Sequence, residues 1–521
     1  MTTLAEPAVT PSEQPSLPPG WAQTTLGDVA HVNARPDTSE LENDTSVTFI
    51  PMAAVQEVCG RYDGSQVRSY GQVKKGYTPF KNGDLIFAKI TPCMENGKSA
   101  LVDGLINSIG YGSTEFHVIT STSALEPKYA FYLVTSKQFR GEAEHNMRGA
   151  AGQKRVPPQF LTEYPLALPP LAEQQRIVAK IEELFSKLDA GVAELKRTQT
   201  LLKRYRQSLL HAAVTGELSQ EWRIQNSPRE TGSELLSRVL AERREKWLQS
   251  GKKGKYKEPE APDPAESQIF AATWTTASLS ALALQIGDVD HKMPKAETGG
   301  VPYISTRDFT GNDSINFKDA KLISPADYES LKKKIFPEFG DLLLSRYGTI
   351  GKVRLVKTSE PFQASYSVAI IKLFFNPVTR YVKLALESHH CQRQMKKHTR
   401  ATAQPDLGLA HVRELAIPLP PLAEQAYIVS EVERRLSVLD NMEETVTAEL
   451  KRAESTRQSI LYRAFAGELV PQDPNDEPAS VLLERIQVEK LKTSAKAIRD
   501  GAGKRGRPRK TMPQPTLLEE Q

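Results

Sequence analysis

The stretch LPPLAEQ occupies residues 168–174, and the same seven letters return at 419–425. Chance does not repeat such a string in a chain of 521 residues, so the repeat sets the architecture before any single element is read. Sliding 168–218 onto 419–469 needs no gap, and 21 of 51 positions match. The matches include Ile-Val at 177–178 and 428–429, Leu-Asp at 188–189 and 439–440, Arg-Gln-Ser at 206–208 and 457–459, and Gly-Glu-Leu at 216–218 and 467–469. The echo runs on into ELLSRVLAERREK (234–246) and VLLERIQVEKLK (481–492). It also runs backwards, more faintly. Trp21 and Trp274 have Leu26 and Leu279 five residues on, and FIPM (49–52) faces PYIS (302–305). NGDLIFAKI (82–90) faces FGDLLLSRY (339–347), and Gln153 faces Gln404. The chain is therefore two copies of one module, each a variable globular part followed by a closely kept helical part.

The helical parts follow from elementary signals. Paired prolines fix an extended entry, and Pro170 or Pro421 suits the first helical position, where no N–H is needed. Glu173 and Glu424 fall in the first turn, where the helix dipole favours an acid. Apolar residues then recur at 3/4 spacing: Ile177, Ile181, Leu184, Leu188, Leu195, Leu202, Tyr205 and Leu209. The second copy offers Val429, Val432, Leu436, Leu439, Val446, Leu450, Ala453 and Ile460. Two such seams in one chain predict mutual pairing as a coiled coil, each helix about 65 Å long at ~1.5 Å per residue. Gly216 and Gly467 stand where C-terminal caps belong.

The globular parts, 20–165 and 270–416, mix both element types. NGDLIFAKI, FGDLLLSRYGTIGKVRLV, EFHVIT and YSVAIIKLFF read as strands, while PKYAFYLVTSKQFRGEA and VTRYVKLALESHHCQRQM read as amphipathic helices. The fold class is α+β with an internal pseudo-two-fold repeat. In order, the segments are a Pro/Ser-rich disordered leader (1–19), a globular part (20–165), a helical part (166–218) and a helix with linker (219–269). The second globular part (270–416), the second helical part (417–469) and a C-terminal helix with basic tail (470–521) complete the chain. GKKGKYKEPEAPDPAESQI (250–268) reads as a polar linker, as does VPQDPNDEPAS (470–480).

Bulk properties narrow the class. Hydrophobic content of 39% and charged content of 25% are those of an ordinary soluble chain, and no apolar run approaches the roughly 20 residues that span a bilayer. The N-terminal residues lack the basic and apolar regions of a secretory signal. Cys59, Cys93 and Cys391 are distant and odd in number, which suits a reducing, cytoplasmic setting without disulfides or a zinc site. The net charge is +5, and GKRGRPRK (503–510) carries five positive charges by itself, so any DNA-binding surface must come from local clustering.

Catalytic motifs are missing. NGKSA (96–100) resembles a phosphate loop, but Pro92 stands where the leading glycine belongs. No GxGxxG opens a helix, and HExxH and CxxC patterns are absent, as is the Asn/Asp-Pro-Pro-aromatic signature of an amino-methyltransferase. His389 and His390 are adjacent on a helix, point about 100° apart, and read as surface histidines with no metal between them.

Two variable modules, each closed by a PLPPLAEQ-type helix start and an RQS…GEL helix end, resemble the specificity subunits of Type I restriction–modification systems, over about residues 20–490. The resemblance implies two target-recognition domains, each reading half of a bipartite, asymmetric site on double-stranded DNA. It implies that the two long helices pair antiparallel as a spacer. It also implies docking of modification subunits, which bring S-adenosylmethionine to methylate adenine, and of restriction subunits that use ATP and Mg. This chain would itself catalyse nothing and bind no cofactor or metal. A duplicated chain can grip two half-sites as a DNA-binding dimer does. The competing reading is a stand-alone DNA-binding or structural adaptor without enzymatic partners, which neighbouring genes would discriminate.

Candidate DNA contacts sit in polar, turn-like surroundings. They are Lys89, Ser113, Thr114, Gln153, Lys154 and Arg155 in the first module and Arg346, Tyr347, Ser365, Tyr366, Arg400 and Gln404 in the second. Gln and Arg can read adenine and guanine edges, while Ser, Thr and Lys mostly hold phosphates. The tail Arg505-Gly506-Arg507-Pro508-Arg509 resembles a minor-groove AT-hook; the alternative is an unspecific basic tail.

Overall fold

The computed structural model describes residues 17–502, apart from 151, 250, 252, 253, 292, 312, 375 and 400–404. The candidates Arg400, Gln404, Arg505, Gly506, Arg507, Pro508 and Arg509, and the leader up to residue 16, lie outside the described residues. The chain divides into two compact units, Met1–Ala193 with Glu449–Gln521, and Glu194–Ala448. Each unit joins the globular part of one copy to the helix end of the other.

In the first unit a four-stranded antiparallel sheet runs in the order Ala30–Val32, Phe116–Ser121, Leu85–Ala88, Ser99–Leu101. The second unit repeats it with Ala283–Gly287, Val368–Leu373, Leu342–Ser345 and Val353–Leu355. Its central strands are buried on both faces, Leu-Ile-Phe-Ala in one copy and Leu-Leu-Leu-Ser in the other, which is why they read as continuous apolar runs. Beside each lies a smaller sheet around a parallel pair: Ser46–Ile50 with Ile109–Gly112, and Val301–Ile304 with Gln363–Ala364. The strands expected at NGDLIFAKI, FGDLLLSRY, EFHVIT and YSVAIIKLFF are all present.

The helices differ from expectation in one respect. The single helix expected over 127–143 is two, Pro127–Thr135 and Lys137–His145, and that over 378–395 is Asn376–Glu387 and His389–Lys397. The breaks fall on Ser136 and Ser388, both buried and both extended at ψ 147 and 156. The Ser136 hydroxyl accepts from the Phe139 N–H, capping the new helix. A serine side chain competes with the helix for backbone partners, a local effect that apolar periodicity does not register. His389 is exposed as expected, but His390 is buried, its ring 5.7 Å from that of Phe270. The linker, too, is anchored at its end: Glu266 is buried and accepts from Arg393 Nη2 at 2.7 Å.

The repeated LPPLAEQ is a joint between sheet and helix. Strand Pro165–Leu168 pairs with Ala22–Thr25 and stops at the prolines, after which helix Leu171–Thr215 begins. Strand Ala416–Leu419 pairs with Thr275–Ser278 and leads into helix Leu422–Phe465 in the same way. Gln174 and Gln425 are fully buried and donate back to the carbonyls of Pro169 (3.0 Å) and Pro420 (2.8 Å). Glu173 and Glu424 are buried as well, and each accepts an indole N–H, from Trp21 at 3.1 Å and from Trp274 at 3.0 Å. Each joint is closed by the segment that follows the other copy's Gly-Glu-Leu. Ser219 and Arg223 donate to Glu424 at 2.6 and 2.5 Å; Gln472 donates to Glu173 at 3.3 Å, and Arg176 holds Asp476 through two bonds. Gly216 (φ +79°) and Gly467 (φ +76°) take the left-handed cap; at Gly467 a Cβ would also lie 2.5 Å from Pro18.

The other repeated letters meet one another. In the first unit Arg457 of one Arg-Gln-Ser bonds Asp189 of the opposite Leu-Asp and lies 4.1 Å over the Phe185 ring. In the second unit Arg206 bonds Asp440 and, at 3.4 Å, Glu443. With 206 facing 440 and 219 facing 424, the second unit's helix segments run antiparallel. Of the expected seam, Ile177, Ile181, Leu202, Leu209, Val429, Val432, Leu439, Val446 and Ala453 are buried, whereas Tyr205 remains 47% exposed. No described helix is long and apolar enough to cross a membrane.

Candidate nucleic-acid interface

In the first unit, strand Leu85–Ala88 pairs to the start of strand Phe116–Ser121, with Ala88 opposite Phe116. One residue further out, Lys89 N–H donates to the Glu115 carbonyl at 2.9 Å. The segment 153–156 lies along the same edge: Val156 N–H reaches Lys89 O at 2.8 Å and Thr91 N–H reaches Lys154 O at 3.1 Å. All six candidates of the first module, Lys89, Ser113, Thr114, Gln153, Lys154 and Arg155, therefore share one rim at the end of the sheet. Thr114, Gln153, Lys154 and Arg155 are exposed, and Lys89 and Ser113 are half-buried.

The rim also carries a residue that was not expected, Glu115. Its two oxygens accept from Arg155 Nε and Nη2, both at 2.9 Å. The Arg155 hydrogen bonds hold the Glu115 carboxyl below the usual carboxylate range, and burial pushes the Lys89 ammonium down. Below the rim His117 is buried; its Nε2 bonds Val156 O at 2.8 Å and its Nδ1 lies 3.0 Å from the Asn33 side chain. Burial lowers the pKa of this imidazole, so it serves as a neutral bracket between strand and loop. An open pocket of about 250 Å³ lies alongside, lined by Asn33, Arg35, Tyr77, Lys89, His117 and Pro158.

The second unit builds the same rim from other residues. Arg346 N–H donates to Ser367 O at 2.9 Å and Leu407 N–H to Arg346 O at 2.9 Å, so Arg346, Ser367 and Asp406 occupy the places of Lys89, Glu115 and Arg155. The chemistry is inverted. Where the first copy has an outward arginine, the second has Asp406, and its own arginine points in.

Arg346 is buried, and its guanidinium donates to Leu407 O (3.0 Å), Asp288 (2.7 Å), Tyr366 O (3.0 Å) and Asp406 (3.2 Å). It differs in this from the groove-facing arginine expected: a buried guanidinium requires partners for its charge, and these internal acids and carbonyls supply them. Ser365 is likewise buried, bonded to Ser367 at 2.6 Å. Tyr347 and Tyr366 are half-buried and form an aromatic face with His291, which stacks on Tyr366 at 4.5 Å and 25°, while Tyr347 meets Tyr366 edge-on at 5.4 Å.

Glu115, Asp288, His291 and Asp406 were thus missed by sequence reasoning. Asp406 had a signal: once Gln153 is set against Gln404, Asp406 falls opposite Arg155. Asp288 and His291 had none, because only the fold carries that loop to the rim. Among the described residues no cluster of three or more His, Cys, Asp or Glu side chains could hold a metal ion.

Comparison with known proteins gives this geometry a family. The family described as Type I restriction modification DNA specificity domain matches residues 18–197 and again 273–452. The Type I restriction enzyme EcoEI specificity subunit of Escherichia coli is 27% identical over 526 residues, covering 88% of this chain and 84% of that protein. The EcoAI specificity subunit of Escherichia coli is 38% identical over 225 residues, 42% of this chain and 37% of that protein. In three dimensions, a chain solved in work on complex assembly and conformational transition of the type I R-M system shares the fold. It superposes with a TM-score of 0.64 at 19% identity, covering 87% of this chain and all of that one. With both copies matched over well beyond half its length, the chain belongs to the family of Type I restriction–modification DNA specificity proteins.

Proposed function

We propose that this chain is the non-catalytic, DNA-reading subunit of a Type I restriction–modification complex. Segments 20–165 and 270–416 are the target-recognition domains, each reading one half of an asymmetric site, and segments 166–218 and 417–469 are the spacer helices between them. The observation that carries the reading is the rim built twice on one backbone with opposite chemistry, Lys89, Glu115 and Arg155 against Arg346, Ser367 and Asp406. A shared scaffold with exchanged polar tips is what reading two different half-sequences requires.

In the first domain Lys89, Ser113, Thr114, Gln153, Lys154 and Arg155 meet DNA. In the second, Tyr347, Tyr366, Arg400 and Gln404 do so, with Arg346 and Ser365 holding the tyrosine loops in place. The tail Arg505–Arg509 adds minor-groove or phosphate attraction.

The chain works in the cytoplasm with modification subunits that carry S-adenosylmethionine and restriction subunits that use ATP and Mg. A cleft of about 1050 Å³ beside the second unit's helices, lined by Arg206, Arg354, Arg380, Lys383, Glu433 and Asp440, offers both signs of charge to a protein partner. The test is reconstitution. The chain alone should methylate nothing, and addition of its modification partner should give site-specific adenine methylation; methyl transfer by the chain alone would overturn the assignment.

A further inference from the structure

We infer that Arg155 reads a guanine of the half-site bound by the first domain, and that Glu115 is the positioning residue that makes it selective. The inference rests on the DNA-reading role proposed above and deepens it. An arginine carries five N–H donors. Here Nε and one Nη2 N–H go to Glu115 at 2.9 Å each, and one Nη1 N–H goes to Gln153 O at 3.1 Å. One N–H is left on each Nη, a two-pronged fork on an exposed side chain. Guanine offers the matching pair of acceptors, O6 and N7, in the major groove. Adenine turns an amino donor toward one prong, so donor would face donor.

The carboxylate decides between base and phosphate. An unpaired arginine is drawn to phosphates by its charge, but both oxygens of Glu115 lie against this one and cancel most of its attraction for an anion. What survives is the directional fork. The backbone reinforces it, since residue 155 is bridged on both sides, to Ile90 and to Arg148. Phosphate holding falls to the neighbouring cations, exposed Lys154 and half-buried Lys89, neither of which has, among the described residues, a carboxylate bound to its ammonium in this way. Asp406 stands in the place of Arg155 in the second domain, so the fork belongs to one half-site only.

The experiment is methylome sequencing of cells that carry the full chain with its modification partner, as wild type and as Arg155→Ala, Arg155→Lys, Glu115→Ala and Glu115→Gln. Competition binding of the purified complexes, over sites altered one base at a time and at several salt concentrations, accompanies it. The wild-type motif should contain a guanine at which Arg155→Ala lowers discrimination roughly tenfold or more, the factor a bidentate base contact supplies, with every other position kept. Glu115→Ala should lose selectivity at that same position without losing overall affinity, and Glu115→Gln should lose less. Uniform weakening across all sequences, with a shallower salt dependence, would mean that Arg155 holds a phosphate and would overturn the inference. So would unchanged selectivity in Glu115→Ala, or a first half-site without guanine. If the wild-type complex selects no site at all, the DNA-reading role itself falls, which is a different result from any of these.

Discussion

Replacing Glu424 by Ala removes the group on which the second joint converges. Its carboxylate is fully buried and accepts from Trp274 Nε1, Ser219 Oγ and Arg223 Nη1 at 3.0, 2.6 and 2.5 Å. Breaking a buried ion pair from one side costs roughly 3–5 kcal/mol, because the surviving charge stays desolvated. Arg223 is 18% exposed and can recover part of its hydration, so the low end, about 3 kcal/mol, applies. The equivalent change at Glu173 strands only neutral donors, Trp21 and the half-buried Gln472, and should cost about 1–2 kcal/mol.

With a urea slope of about 3 kcal/mol/M, Glu424→Ala should lower the midpoint of its unit by about 1 M and Glu173→Ala by about half as much. Urea denaturation followed by tryptophan emission measures this, with hydrogen exchange at strands Thr275–Ser278 and Ala416–Leu419 reporting the joint itself. Arg223→Ala combined with Glu424→Ala should cost clearly less than the sum of the singles. A midpoint for Glu424→Ala equal to that of Glu173→Ala, or additive singles, would refute the claim that the buried charge cluster holds this joint.

Arg457→Asp should destabilise the first unit's helix pair by about 1 kcal/mol, since its partner Asp189 is largely exposed, and Asp189→Arg in the same chain should recover most of it on thermal denaturation. No recovery would mean that the repeated Arg and Asp do not set the helix register. Asp476 is held below the usual carboxylate range by its hydrogen bonds with Arg176. Its stabilising contribution is therefore complete above about pH 4 and is lost as the pH falls through the depressed value, so Asp476→Asn should flatten that part of the acid limb in a stability titration. An unaltered limb would contradict this. Four residues inserted near Glu194 lengthen the helix by about 6 Å and nearly keep the seam; methylome sequencing should then show both half-sequences with about one or two more unspecified bases between them. Two inserted residues, rotating the seam by about 200°, should abolish activity, and an active four-residue variant with an unchanged gap would remove the spacer reading.

The repeat was the most legible feature because it is written in identity rather than in chemistry. LPPLAEQ, Leu-Asp, Arg-Gln-Ser and Gly-Glu-Leu are kept between the copies; Leu-Asp and Arg-Gln-Ser prove to touch each other, Asp189 with Arg457 and Arg206 with Asp440, while Gly467 and Glu173 both meet the segment holding Pro18 and Trp21. Residues that hold two copies in one geometry cannot drift independently. The rim was legible only in outline. Turn-like composition placed Lys89 and Arg155 at an edge, but which arginine faces outward depends on acids supplied by distant segments, Glu115 for Arg155 and Asp288 with Asp406 for Arg346. Polar tips on a common scaffold carry no periodicity, so Arg346 read as exposed although it is buried. The helix breaks at Ser136 and Ser388 escaped for a related reason: a single serine hydroxyl, capping the next helix at Ser136 and donating back to the Ala385 carbonyl at Ser388, interrupts an apolar stripe that runs through it.

If the two globular parts read DNA independently, exchanging one of them should alter one half-site alone. Residues 20–165 are replaced by the equivalent part of a relative, the chain is expressed with its modification partner, and methylated adenines are mapped across the genome. One half of the motif should change, while the other half and the gap stay as they were. A motif altered in both halves, or in neither, would contradict independent reading.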